Sequence, residues 1–141
     1  MTAAESTTRH EHAVLVVEDS DIGRESLALL LKMEGYRPVT APTGLEAFHL
    51  LHTLRLRPCV VVTDLIMAKM DGLTFRDELL KHPELSAIPV IALTGHEGLR
   101  RYALDKGFAA GLLKPCDINE LLRLIDQHCC RRAVLHVERR A

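Results

Sequence analysis

The sequence predicts an α/β domain of the (βα)5 type, a doubly wound parallel sheet with helices on both faces. Three observations predict it. Short apolar runs, mostly β-branched, alternate with amphipathic stretches along the chain. The runs are continuous rather than alternating, which is how strands buried on both faces of a parallel sheet read. The stretches between them begin and end on helix start and stop signals. Such alternation requires parallel strands joined by right-handed crossovers.

The strong strand candidates are Ala13–Val17, Cys59–Thr63 and Ile88–Leu93. Arg37–Ala41 and Ala109–Leu113 are weaker and should lie at the periphery. The first helix is expected over Asp21–Glu34, with Ile22, Leu27, Leu30, Leu31 and Glu34 at the helical step and Gly35 as its left-handed stop. The second opens on Thr43-Gly-Leu-Glu46, a capping box, and its inner stripe is Ala47, Phe48, Leu51 and Leu54. The third runs from Gly72 to Lys81 and must end near Pro83. The fourth runs from Glu97 to Lys106 and stops at Gly107. The fifth opens on a second capping box, Asp117-Ile-Asn-Glu120, with Leu121, Leu122, Ile125 and Cys129 on one face.

Composition narrows the function. The chain has 141 residues, one domain's worth, and a formal net charge of -1, so a dedicated phosphate-backbone binder is not indicated. Aromatics make up 4% and Trp is absent, which weighs against stacking on single-stranded nucleic acid. No apolar run is long enough to span a membrane, and the polar N-terminus lacks a signal peptide's apolar core. The four cysteines show no CxxC spacing, so a zinc site has little support, and a reducing cytoplasmic compartment is the simpler reading. The organisation expected is a flexible arm over residues 1–12, including His10 and His12, the folded domain over 13–128, and a short tail over 129–141.

In open parallel sheets, chemistry gathers beyond the carboxyl ends of the strands. There the sequence puts Glu18 and Asp19 after the first strand, Asp64 after the third, Thr94 after the fourth and Lys114 after the fifth. Any one of these is explained by a strand end reaching water; all five together are not. Three adjacent carboxylates repel unless a cation neutralises them. Mg²⁺ suits such a site, since it binds through one or two carboxylates and keeps water and phosphate positions open. Lys114 adds a movable point charge and Thr94 a hydroxyl around a carboxylate able to act as nucleophile. Phosphoryl transfer needs little else.

At this point the chain resembles the receiver domains of two-component response regulators, the stand-alone chemotaxis regulator among them. The matching residues are Val16-Val17-Glu18-Asp19-Ser20, Val62-Thr63-Asp64-Leu-Ile-Met67 with Asp71-Gly72 following, Ala92-Leu93-Thr94-Gly95, and Leu113-Lys114-Pro115. The match spans about Ala13 to Ile125. The resemblance implies a flavodoxin-like sheet in the order 2-1-3-4-5. It implies that Asp64 accepts a phosphoryl group from a histidine kinase or histidine phosphotransfer protein. Asp19 would be a direct Mg²⁺ ligand, Glu18 would act through water, and the Ile66 backbone carbonyl would be a further ligand. Thr94 and Lys114 would contact the phosphoryl oxygens, with a cis bond before Pro115. Such a protein is not a turnover enzyme; it catalyses its own phosphorylation and dephosphorylation. Its output is an unknown downstream protein, with no attached output domain expected, and homodimerisation through the fourth helix, fifth strand and fifth helix is a further expectation.

Departures from the pattern sharpen the reading. Ala68 stands where the family often has Pro; the change permits a looser loop, with harmless variation the preferred reading. Gly111 stands where receivers usually carry Tyr or Phe, the ring that swings inward on phosphorylation. Signalling is then expected through loop movement near Thr94, or through a partner that reads the phosphoryl site directly. Ile66 and His96 occupy positions that influence hydrolysis; Ile66 cannot orient a water, whereas His96 could, and slow hydrolysis is expected because the Ile66 side chain would shield the acyl phosphate. The alternatives are a phosphorylation-independent pseudo-receiver and a haloacid-dehalogenase-like phosphatase, which would need a second Asp where Ile66 stands. Arg131, Arg132, Arg139 and Arg140 in the tail read as a solvated continuation of the last helix before a docking segment. The tail is too short for a helix-turn-helix, so direct DNA binding is not expected.

Overall fold

The computed structural model describes residues 12–129. Five strands, β1 (Ala13–Val17), β2 (Arg37–Ala41), β3 (Val60–Asp64), β4 (Val90–Thr94) and β5 (Ala110–Leu113), form one parallel sheet in the order β2-β1-β3-β4-β5. The expected 2-1-3-4-5 order therefore holds, with the two weaker strands at the edges. β1 and β4 are buried along their whole length, as their unbroken apolar runs require.

Four helices connect the strands, α1 (Asp21–Met33), α2 (Gly44–His52), α3 (Gly72–Leu80) and α4 (Glu97–Asp105), with a one-turn helix at Pro83–Ser86, and α5 (Ile118–His128) follows β5. Strand side chains alternate between faces. Leu15, Val17, Val61 and Ala92 pack with Leu51, Phe75, Leu79 and Ala103 of α2, α3 and α4. Val14, Val16, Val62 and Ile91 pack on the other face with Leu31 of α1 and Leu121 and Ile125 of α5.

The helix ends follow from their caps. Ser20 accepts from the Gly23 N–H, Thr43 from Glu46 and Asp71 from Thr74. Asp117 accepts from Asn119 rather than Glu120, so the second capping box closes one residue early. Gly35 and Gly107 stop their helices at φ 90° and 91°.

Several expectations are corrected. Leu54 lies beyond the end of α2 and is 61% exposed, so it is not part of the inner stripe. Ile22 (80%) and Leu30 (38%) face solvent, because α1 meets the sheet along a narrower stripe than its apolar residues suggest. α3 ends at Leu80 with Lys81 as its C-cap, as expected short of Pro83, and what was not expected is that Pro83 opens an extra helical turn. His12 does not belong to a solvated arm: it is 2% exposed. Residues 1–11 and 130–141, with the rest of the arm and the tail arginines, lie outside the described residues.

Candidate functional site

The strand register brings the five predicted residues to one edge. β3 and β4 deliver Asp64 and Thr94 as their last residues, while Glu18 and Lys114 follow directly on β1 and β5. Val17 pairs with Thr63, Asp64 with Leu93 and Thr94 with Leu113, so the strand ends are nearly level.

Lys114 is the centre of the cluster. Its Nζ donates to Glu18 Oε2 and Asp64 Oδ2, each at 2.9 Å. The other Asp64 oxygen faces the Ile66 N–H at 3.4 Å. Glu18 is fixed from several sides: its Oε1 accepts from the Ser20 N–H at 3.1 Å, its carbonyl from Arg24 Nη1 at 2.9 Å, and its N–H donates to Ala41 O at 3.1 Å. Burial disfavours the Lys114 charge, yet the hydrogen bonds and charges of Glu18 and Asp64 together hold its ammonium above the ordinary lysine range.

One carboxylate oxygen from each of Glu18, Asp19 and Asp64 lies within 4.8 Å of the other two. Against these three negative charges Lys114 sets one positive charge, which leaves the cluster short of a divalent cation. Hard oxygen donors at this spacing suit Mg²⁺, so the residues present fit such an ion. Thr94 is buried, and its hydroxyl accepts from the His96 N–H at 3.2 Å. The Lys114 N–H donates to the Thr94 carbonyl at 2.8 Å, which ties the hydroxyl and the ammonium to one ladder step. The Lys114–Pro115 bond is cis.

Two glycines shape the site in ways sequence reasoning did not reach. A Cβ on Gly72 would lie 2.4 Å from the Asp64 carbonyl oxygen and 2.9 Å from Leu65 Cα, so α3 begins directly against the Asp64 backbone. A Cβ on Gly44 would lie 2.2 Å from the Met70 carbonyl oxygen. That contact backs the loop after β3, where Lys69 (φ 51°) and Met70 (φ 74°) are left-handed and Ala68 is exposed. The Leu45 N–H holds the loop by donating to Lys69 O at 3.3 Å. Asp71-Gly72 belonged to the recognised motif, but the reason for the glycine is tertiary. Ser20 belonged to the recognised motif, but its hold on Glu18 did not show there, and Arg24 carried no signal beyond its nearness to Glu18.

A family model for the response regulator receiver domain matches residues 14–126. The chain belongs to this family. An uncharacterised 14.6 kDa protein of Leptolyngbya boryana is 38% identical over 118 residues, covering 82% of this chain and 88% of that protein. The two-component response regulator-like protein APRR7 of Arabidopsis thaliana is 35% identical over 121 residues, covering 84% of this chain but 16% of that protein. The receiver domain of the Pseudomonas aeruginosa sensor histidine kinase PA1611, solved with magnesium in its active-site cleft, superposes with a TM-score of 0.74. It is 26% identical, with 83% of this chain and 96% of that one covered. The fold and the two-component signalling class are thereby established, and among the described residues no helix is long and apolar enough to cross a membrane.

Gly111 stands where the resemblance leads one to expect Tyr or Phe, and the structure shows what lies there instead. A Cβ there would lie 2.9 Å from Arg100 Cγ, so the Arg100 side chain of α4 lies across β5. Its guanidinium is gripped by Glu97, through Nε to Oε2 at 2.8 Å and Nη2 to Oε1 at 2.6 Å. Arg101 adds a third bond to Glu97 at 3.1 Å. Principally through Arg100, these bonds hold the Glu97 carboxyl down at about 2.

Proposed function

We propose that Asp64 accepts a phosphoryl group from a phosphohistidine, on a histidine kinase or a histidine phosphotransfer protein, and that the phosphorylated receiver signals by protein contact. The observation that carries this reading is the Lys114 ammonium bridging Glu18 and Asp64 within a three-carboxylate cluster. An Asp64 carboxylate oxygen attacks phosphorus; the O–P bond forms as the N–P bond breaks, and its electron pair returns to the donor imidazole. Lys114 then turns its charge from carboxylate to phosphoryl oxygen, and the Thr94 hydroxyl donates to another. Asp19, Asp64 and the Ile66 carbonyl would hold Mg²⁺, with Glu18 acting through water; when bound, the ion neutralises charge on the transferring group.

Propagation in this reading starts at Thr94. Its hydroxyl accepts from the N–H of His96, the residue that opens α4. The His96 carbonyl accepts from the Arg100 N–H at 3.0 Å, and the Arg100 side chain covers Gly111. A Thr94 hydroxyl drawn to the phosphoryl group lets go of the start of α4, and Arg100 moves with it. The output is a partner protein, or a second copy, on the face of α4, β5 and α5.

Incubation with Mg²⁺ and acetyl phosphate, followed by intact mass spectrometry, tests the proposal. One phosphoryl adduct is expected, absent from Asp64→Asn. No adduct under any condition would leave a pseudo-receiver that works as an interaction module alone.

A further inference from the structure

At the opposite, amino-terminal edge of the sheet lies a second cluster. His12 precedes β1, Cys59 precedes β3, and Cys129 follows α5. His12 Nδ1 lies 3.3 Å from Cys59 Sγ and 3.6 Å from Cys129 Sγ, and the three donor atoms all fall within 4.8 Å of one another. His12 and Cys129 are 2% and 4% exposed, and Cys59 is half-buried. The neighbouring wall is the apolar core of Val14, Val60 and Ile125.

We propose that His12, Cys59 and Cys129 form a structural binding site for one thiophilic cation, with zinc as its ion. Two arguments carry it. The first is spacing: with Zn–S of about 2.3 Å and Zn–N of about 2.05 Å, tetrahedral angles put nitrogen and sulfur about 3.6 Å apart. The two nitrogen–sulfur separations, 3.3 and 3.6 Å, are close to that value. The second is valence. An imidazole nitrogen has one in-plane site, a hydrogen or a lone pair, and serves one partner well. Here two sulfurs converge on the same Nδ1, and a cation at the centre of the three atoms can take a lone pair from each of them at once.

Binding replaces the thiol protons, so each cation bound through two thiolates and a neutral imidazole releases up to two protons. A water or an added thiol completes the tetrahedron, as three protein ligands leave a fourth position. The site would fasten the start of β1 and the end of α5 to the start of the central strand β3. It lies at the far edge of the sheet from Asp64 and is independent of phosphorylation.

The test uses the full-length chain, purified under reducing conditions and stripped with a chelator. Titration with zinc against a chromophoric chelator should reach one equivalent. Cobalt should produce a thiolate-to-metal charge-transfer band. Zinc at about 100 times its Kd should raise Tm by roughly 8 °C. Cys59→Ser and His12→Gln should each lower the affinity at least tenfold, whereas Cys116→Ser should retain both stoichiometry and affinity. Acetyl phosphate labelling of Asp64 should not change with zinc, which separates this site from the phosphoryl site. If wild type takes up no zinc, shows no cobalt charge-transfer band, or binds as tightly after Cys59→Ser, the proposal is overturned. Circular dichroism of each variant guards against loss by unfolding; if His12→Gln does not fold, Cys59→Ser, at the half-buried position, decides.

Discussion

Gly72→Ala tests whether the start of α3 is what sets the Asp64 backbone. The added Cβ would lie 2.4 Å from the Asp64 carbonyl oxygen, where ordinary contact begins at 3.4 Å. A gap of about 1 Å must therefore open, and both nearest obstacles are main chain, at Asp64 and Leu65. Overpacking costs about 1–3 kcal/mol, and main chain on the receiving side puts this case at the upper end. Restricting the unfolded chain returns about 0.4–1 kcal/mol. The net expectation is about 2 kcal/mol of destabilisation, read by urea unfolding. Because the displaced carbonyl belongs to the proposed phosphoacceptor, acetyl phosphate labelling should fall roughly 100-fold, the cost of a 1 Å misplacement. Gly98→Ala is the control: its Cβ meets nothing within 4 Å, in a helix. It should stabilise by about 0.4–1 kcal/mol and leave labelling unchanged. A Gly72→Ala protein as stable and as readily labelled as wild type would refute the reasoning.

Glu97, held at about 2 by Arg100 first, should stay ionised in the folded state until the pH falls that far. Its depressed value stabilises the fold above the unfolded carboxyl range, and that contribution is lost as pH falls through about 2; a carboxyl titration by NMR, repeated in Arg100→Ala, should show the midpoint return upward. Mg²⁺ at about ten times its Kd should add about 1.4 kcal/mol to wild-type stability and markedly less to Asp19→Asn, measured by thermal unfolding. Ile66 is 55% exposed beside Asp64, and Ile66→Asn should shorten the phosphoryl half-life by supplying a group that orients water; an unchanged half-life sinks the shielding idea. Lys114→Ala should slow labelling of Asp64 while sharpening the stabilisation by Mg²⁺, since no ammonium then offsets the three carboxylates.

The parts legible in sequence were those set by local pattern plus one topological rule. Continuous apolar runs marked the strands, and parallel strands present their carboxyl ends together, so Glu18, Asp19, Asp64, Thr94 and Lys114 could be gathered without coordinates. What stayed hidden depends on close approach between distant segments. Gly44 and Gly72 are needed because the loop after β3 folds back onto two helix starts. His12 read as part of a polar arm because its sulfur neighbours are 47 and 117 residues away. Leu54 and Ile22 were misjudged for another reason: periodicity counts apolar residues but does not say how wide a stripe the sheet covers.

Under the proposed function, Gly111 changes what a partner would meet on the face of α4, β5 and α5, and the change has a direction. A ring attached to β5 samples the space beneath the α4–β5 surface from the sheet, which is rigid. Arg100 fills the same space from α4, so the surface over Gly111 follows the helix. Only two hydrogen bonds separate Thr94 from Arg100, through the N–H and carbonyl of His96. Each is worth about 1 kcal/mol net, which matches the 1–3 kcal/mol that couples sites in ordinary allosteric proteins. The grip of Glu97 on the Arg100 guanidinium keeps that side chain in one place, so a shift of α4 is passed on rather than absorbed by a floppy side chain. Under the proposed function, the phosphoryl state would be displayed as the position of a charged, forked group beside a bare strand. That surface favours a partner carrying an acidic side chain able to compete with Glu97 over one that offers an apolar pocket for a ring.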